Sequence, residues 1–396
     1  MTERLYYHDP SLLTFDAVVT RFEEAEGRFL VYLDRSAFYP TSGGQSHDLG
    51  SLDDIAVVDV VETGDGDVAH VIASAGLDVG DRVHGIVEAR RRLKNRQQHT
   101  AQHILSQLFV QRLGAETLSV HLGNDYGAVE IEASVVSDAI VQQVENDANG
   151  IVAANQPIDI LFAQGEELAG LPLRKPPQRD GLVRVIRIGN LDWSACGGTH
   201  CNSTAEVGTI KIVGAEKIRG HASVKFLVGE QANADYRMRL EITDELSKAL
   251  TCHPTDLIVK VEKLVSDNKN LRRELAQLQK ELLPVRARDL ASRPIASGRM
   301  SLVAEEIADI DSGLIGALTS MVAQETGGLA MLISGGRMAI AAAESTGIAA
   351  DQLAREFCHK VGLKGGGNSR VAQIGGADPK RFAEYRDILI SLVKNA

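Results

Sequence analysis

A chain of 396 residues has room for two to four domains of ordinary size, each with a full core, so a small cross-linked peptide is excluded. Its 44% apolar and 24% charged residues suit a folding globular chain, and no stretch approaches the roughly 18 to 20 unbroken apolar residues of a membrane helix. Lysine and arginine number 42 against 53 acids, a net charge of -11, so any nucleic-acid contact must come from a local basic patch.

In chain order, the opening MTERLYYHDP has no basic region leading an apolar core, which predicts a cytoplasmic chain. Residues 1–89 show short alternating runs, such as Phe29 to Leu33, Ile55 to Val61 and Val68 to Ile72, cut by Gly, Asp and Ser clusters. They predict a small β-barrel or meander with a glycine-rich loop. From Arg90 to about Leu113 the apolar spacing becomes helical, with Gly114 as the stop, and strands and helices then mix through a second region, residues 90–234. Leu171 to Gly181, rich in Pro and charge, predicts an exposed loop.

Residues 235–290 predict a helical, coiled-coil linker. Leu257, Val261, Leu264, Asn268, Leu271, Leu275, Leu278 and Leu282 alternate spacings of four and three, a heptad seam that predicts a homodimer through residues 257–282. Asn268 takes an a position, where a buried amide sets register, and Pro284 is expected to end the run. An internal antiparallel hairpin with a helix around Asp235 to Leu250 is the alternative. The remainder, 291–396, is rich in Ala, Gly and β-type runs and predicts a small α/β domain. The whole reads as α+β.

Four scattered cysteines, Cys196, Cys201, Cys252 and Cys358, make no disulfide framework, so reduced thiols are expected and a special cysteine would be a ligand or nucleophile. His99 and His103 stand four apart in the helical stretch and share a face, and Cys196-Gly-Gly-Thr-His200 adds a thiolate and a third imidazole across a glycine turn. This donor set suits zinc better than magnesium or calcium. Asp192 is placed to orient a ligand histidine. Four protein ligands would close a tetrahedral site, whereas catalytic zinc ordinarily keeps a position open.

Phe38 to Gln45, FYPTSGGQ, is either a loop that cradles a phosphate or ester or simply a Gly-Gly hairpin turn. Arg90, Arg91, Arg92, Lys94 and Arg96 put five cations just before the histidines, as a solvated face or as phosphate contacts.

The stretches LYYHDPSLLTFDAVV, DRSAFYPTSGGQSHDLG, QQHTAQHILS, ACGGTH and GGGNSRVAQIGG together resemble the freestanding alanyl-tRNA editing proteins, long form, which are similar to the editing and C-terminal parts of alanyl-tRNA synthetase. The resemblance runs nearly end to end. It implies a zinc-associated hydrolase that removes serine, and also glycine, from mischarged tRNA(Ala), with no aminoacylation because the class II catalytic core is not represented. By the same resemblance His99, His103, Cys196 and His200 are metal ligands, and Gly43, Gly44 and Gln45 form the substrate loop. Thr117 and Ser119, then Thr41, are the candidates for recognising the serine hydroxyl. Arg91, Arg92, Lys94 and Arg96 are expected to meet tRNA, and residues 291–396 to form a tRNA-binding domain in which Asn-Ser departs from the usual Gly- and Arg-rich motif. A phosphoesterase would need an Asp-His-His motif, which the chain lacks, and a noncatalytic RNA-binding module with structural zinc is the remaining rival.

Overall fold

The computed structural model describes residues 1–25, 27–176, 181–297 and 300–394. They divide into two compact units, Met1–Glu245 and Leu246–Ala396, and the whole is α+β. The first unit opens with six antiparallel strands: β1 Thr14–Ala25, β2 Arg28–Leu33, β3 Gly50–Leu52, β4 Ile55–Glu62, β5 Val68–Ile72 and β6 Arg82–Val87. They close into a barrel in the order β1-β2-β5-β4-β3-β6, which leaves no free edge. Alternation does the sorting. In β6 every second residue is buried, and Phe15, Val31, Leu33, Phe38, Leu52, Val60 and Val83 fill the interior.

Helix α1, Ala89–Leu113, follows at once and stops at Gly114, whose left-handed conformation caps the helix as expected. Ala101, Ile104, Leu105, Leu108 and Phe109 bury one side of α1 against a four-stranded antiparallel sheet. That sheet contains β7 Thr117–Leu122 and β8 Gly127–Ile131, then β12 Ile210–Ile218 and β13 His221–Val228, ordered β12-β13-β8-β7. Helix α2, Asp138–Ala153, packs beside α1, and β9 Ile158–Ala163, β10 Val183–Ile188 and β11 Asp192–Ala195 make a second small sheet. Of the loop expected over 171–181, residues 177–180 lie outside the described residues.

Helix α3, Gly229–Leu250, leaves this unit. In the second unit α4, Leu257–Ala291, continues straight through Pro284, which therefore does not end the run as expected. The reason is tertiary. Leu283, Ala287 and Leu290 are buried with Ile315, Leu318 and Val322 of α5, Ile315–Thr326, and this packing outweighs the hydrogen bond that proline removes. The last turns of α4 thus belong to the C-terminal core. A six-stranded mixed sheet completes that core, with α6 Ala350–Val361 and α7 Phe382–Lys394 packed on its other hydrophobic cluster.

One buried ion pair joins α1 to the barrel. Arg92 is 1% exposed and donates from Nε and Nη2 to Asp48, which is fully buried and also accepts from the Tyr39 amide. Its remaining hydrogens go to the carbonyls of Pro10, Leu12 and Ala37. Removing one partner would leave an uncompensated buried charge. Asp48→Asn should therefore lower unfolding stability by about 3 to 5 kcal/mol in urea titrations, whereas a loss below about 1 kcal/mol would assign the pair to the range of exposed ion pairs.

Candidate metal centre

His99 and His103 are one helical turn apart on the buried face of α1, each 4% exposed, and the loop that leaves β11 brings Cys196 and His200 onto them. Four ligand atoms, one from each residue, lie within 4.8 Å of one another. Sγ of Cys196 is 3.4 Å from Nε2 of both His99 and His200. Bonds of about 2.0 to 2.1 Å to nitrogen and about 2.3 Å to sulfur, at tetrahedral angles, require an N to S edge of about 3.5 Å. The two edges from Cys196 to His99 and His200 already have the length that a zinc tetrahedron requires.

Each imidazole is held by its other nitrogen. His99 Nδ1 meets Gln45 Oε1 at 2.8 Å, His103 Nδ1 meets Asp192 Oδ2 at 2.9 Å, and His200 Nδ1 meets the Thr100 hydroxyl at 3.3 Å. With Nδ1–H donating outward, Nε2 presents its lone pair to the centre. Asp192 is itself fixed by the Ser194 hydroxyl at 2.9 Å and by Arg174 at 3.3 Å. Its carboxyl stays below the ordinary range, because the bonds and charge of His103 and the Arg174 charge outweigh the upward pull of burial.

Burial, assisted by the Arg184 charge, pushes His99 down to about 3, and burial with the neighbouring cations pushes His200 well below its usual value. Both are neutral, as a ligand must be. Burial alone would raise the Cys196 thiol, but His103, the Gly198 amide and Arg184 together hold it below its ordinary value. The donor set therefore fits zinc: imidazole nitrogens, those of His99 and His200 held neutral, and one thiol biased toward thiolate. The three histidines are buried, while Cys196 is only partly so and is flanked by exposed Ala195 and Gly197. Gly198 has no alternative, since a Cβ there would sit 2.1 Å from Cε1 of His99.

The other expected residues divide. Gly43 and Gly44, both at positive φ, form a two-residue hairpin turn between Ser42 and Gln45. The turn docks on β7: Leu122 N donates to the Gly44 carbonyl at 3.0 Å, and a Cβ on Gly44 would lie 2.6 Å from the Val120 carbonyl. Gln45, fully buried, reaches back to the centre, where Oε1 also accepts from Thr199 N and Nε2 donates to the Thr199 hydroxyl. It orients the His99 ring. Thr41, next to the turn, is exposed and bonded to His47.

In an unbroken strand Thr117 and Ser119 would share a face, but the ladder to β8 slips at Leu118, so Thr117 pairs with Ile131 while Ser119 pairs with Glu130. Thr117 consequently faces the core and donates to the Ser106 hydroxyl on α1, 2.7 Å away, which also receives a bond from Gln102. Ser119 is exposed on the opposite face.

Two of the four cations expected to meet tRNA do not reach solvent. Positions 92, 96, 99 and 103 fall within about 60° of helical arc, so the face that buries the histidines also buries Arg92 and Arg96. Arg92 is spent on Asp48, and Arg96 donates to the His200 carbonyl at 2.7 Å and to Glu206 at 2.9 Å. Arg91 and Lys94 are half-buried near the surface, bonded to the His47 carbonyl and to Asn124. Sequence reasoning missed Thr100, Thr199 and Arg96 as supports of the centre.

Two family models match parts of this chain. Residues 183–227, which include Cys196 and His200, match the model of the threonyl and alanyl tRNA synthetase second additional domain, and residues 299–395 match the DHHA1 domain. Such a pairing defines the class as synthetase-related. The chain is 33% identical to the alanine–tRNA ligase of Archaeoglobus fulgidus over 94% of its length and 42% of that protein's, and 29% identical to that of Methanopyrus kandleri over 100% and 44%. It also matches the C-Ala domain of Aquifex aeolicus alanyl-tRNA synthetase, at 21% identity, 26% of this chain and 98% of that one, with a TM-score of 0.24, too low to bear on the fold. It is an alanyl-tRNA synthetase-related protein, and it spans less than half the length of these relatives.

Outer partners of metal ligands matter nearly as much as the ligands. Asp192→Asn should weaken zinc binding by about 10- to 100-fold in chelator competition; wild-type affinity in that variant would mean that His103 does not need its carboxylate.

Proposed function

We propose that this chain is a hydrolase that removes serine, and also glycine, from mischarged tRNA(Ala), acting in trans in the cytoplasm and without aminoacylation. The observation that carries the reading is the convergence of His99, His103, Cys196 and His200, each imidazole held at Nδ1, with Cys196 and His200 in the stretch that matches the threonyl and alanyl tRNA synthetase second additional domain. Zinc held by these four residues would supply Lewis acidity and a template for the aminoacyl ester. Gln45, Asp192 and Thr100 keep the imidazoles aimed. Arg91 and Lys94 remain the candidates for phosphate contact, and residues 291–396 for a second tRNA contact. The rival, a noncatalytic RNA-binding module, draws on the fact that four protein ligands already satisfy a structural zinc.

Selectivity decides between them. A pocket whose buried partner bonds to the serine hydroxyl can reject alanine by as much as about 10⁴ to 10⁵, because the partner is left unpaired. Thr117, inward-facing through Ser106, is the foremost recognition residue, ahead of Ser119 and Thr41. Single-turnover deacylation should show seryl-tRNA(Ala) hydrolysed much faster than alanyl-tRNA(Ala), with Thr117→Val reducing the serine rate far more than any alanine rate. Equal rates on the two esters would end the editing reading, and no hydrolysis at all would favour the RNA-binding module.

We further propose a homodimer through residues 257–282. Leu264, Leu271, Leu275, Leu278 and Leu282 are 46 to 63% exposed along α4, an apolar seam that a second copy would cover. Sedimentation should give twice the chain mass at micromolar concentration, and Asn268→Leu should tighten association; a monomer at high micromolar concentration contradicts the dimer.

A further inference from the structure

Where β11 ends at Ala195, the chain leaves the ladder with β10, and the metal loop from Cys196 to His200 needs other partners for its backbone. Arg184, on β10, supplies them. Its side chain is buried, at 6% exposure, and Nη1 donates to the carbonyls of Cys196 at 2.7 Å and Gly198 at 2.9 Å. Nε donates to the Tyr7 carbonyl at 2.8 Å, while the Arg184 carbonyl accepts the Cys196 amide at 3.1 Å. Cys196 is thus gripped at both ends of its backbone by one residue.

Tyr7 closes the grip from the other side. The Arg184 guanidinium carbon lies 5.4 Å from the Tyr7 ring centroid, and the Tyr7 hydroxyl stands 3.3 Å from where a Cβ on Gly197 would be. The loop is therefore held between Arg184 and the N-terminal segment with the Cys196 sulfur turned toward Nε2 of His99 and His200.

From this geometry we propose that Arg184 is a positioning residue for the metal centre: by clamping the Cys196 and Gly198 carbonyls it fixes where the thiolate ligand stands, without itself touching metal or substrate. The inference rests on the zinc reading. A guanidinium can span two loop carbonyls and a third from another segment because its donors fan out in one plane, and a lysine ammonium lacks that reach in three directions. A buried arginine that only filled space would be replaced by methionine with no particular effect on the sulfur.

Cobalt(II) titration of the full chain separates the possibilities, because a thiolate ligand gives a sulfur-to-cobalt charge-transfer band distinct from the d–d bands of a tetrahedral ion. Wild type should show both. Arg184→Met should bind cobalt about 10- to 100-fold more weakly, with the charge-transfer band falling relative to the d–d bands while circular dichroism and the urea transition stay cooperative. Arg184→Lys should fall between. Wild-type affinity and band ratio in both variants would overturn the proposal, as would metal loss that merely follows loss of fold in both. Absence of the charge-transfer band in wild type itself would instead overturn the zinc reading on which the proposal stands.

Discussion

One face of α1 carries two guanidinium groups and two imidazoles into the interior, and the first unit is arranged around satisfying them. Burying such groups is costly unless each finds a partner, and each partner comes from a distant part of the chain. Asp48 and three carbonyls meet Arg92, the His200 carbonyl and Glu206 meet Arg96, Gln45 meets His99, and Asp192 meets His103. The barrel loop, the β11 strand and the metal loop are thereby registered against a single helix. The Gln45 contact that ties the barrel loop to the helix also sets the orientation of His99.

This dependence explains which features were legible in the sequence. The helix, its Gly114 stop, the barrel strands and the Gly-Gly turn are written in local periodicity and turn chemistry. The four residues that converge were legible because histidines four apart and the Cys-Gly-Gly-Thr-His segment carry their chemistry in their spacing. Arg92 and Arg96 were misread as solvent-facing, although their spacing from His99 and His103 places them on the buried face. Their burial depended on Asp48 and Glu206, whose proximity no local pattern reveals.

Other differences have the same origin. Pro284 carries a local signal to stop, but Leu283, Ala287 and Leu290 pack into the C-terminal core and keep the helix intact. The slip in β7 at Leu118 arises from pairing with β8 and sends Thr117 and Ser119 to opposite faces, so two hydroxyls equivalent in the sequence are not equivalent in the fold. Gln45, expected in the substrate loop, is buried against His99, because the turn that carries it docks on β7 and directs the amide inward.

The account turns on a single metal held by three imidazoles and one thiolate. Zinc K-edge absorption spectroscopy of the zinc-loaded protein tests it most directly. It should give one zinc per chain with three nitrogen scatterers at about 2.0 to 2.1 Å and one sulfur at about 2.3 Å. A first shell without sulfur, or zinc that does not bind stoichiometrically, would contradict it.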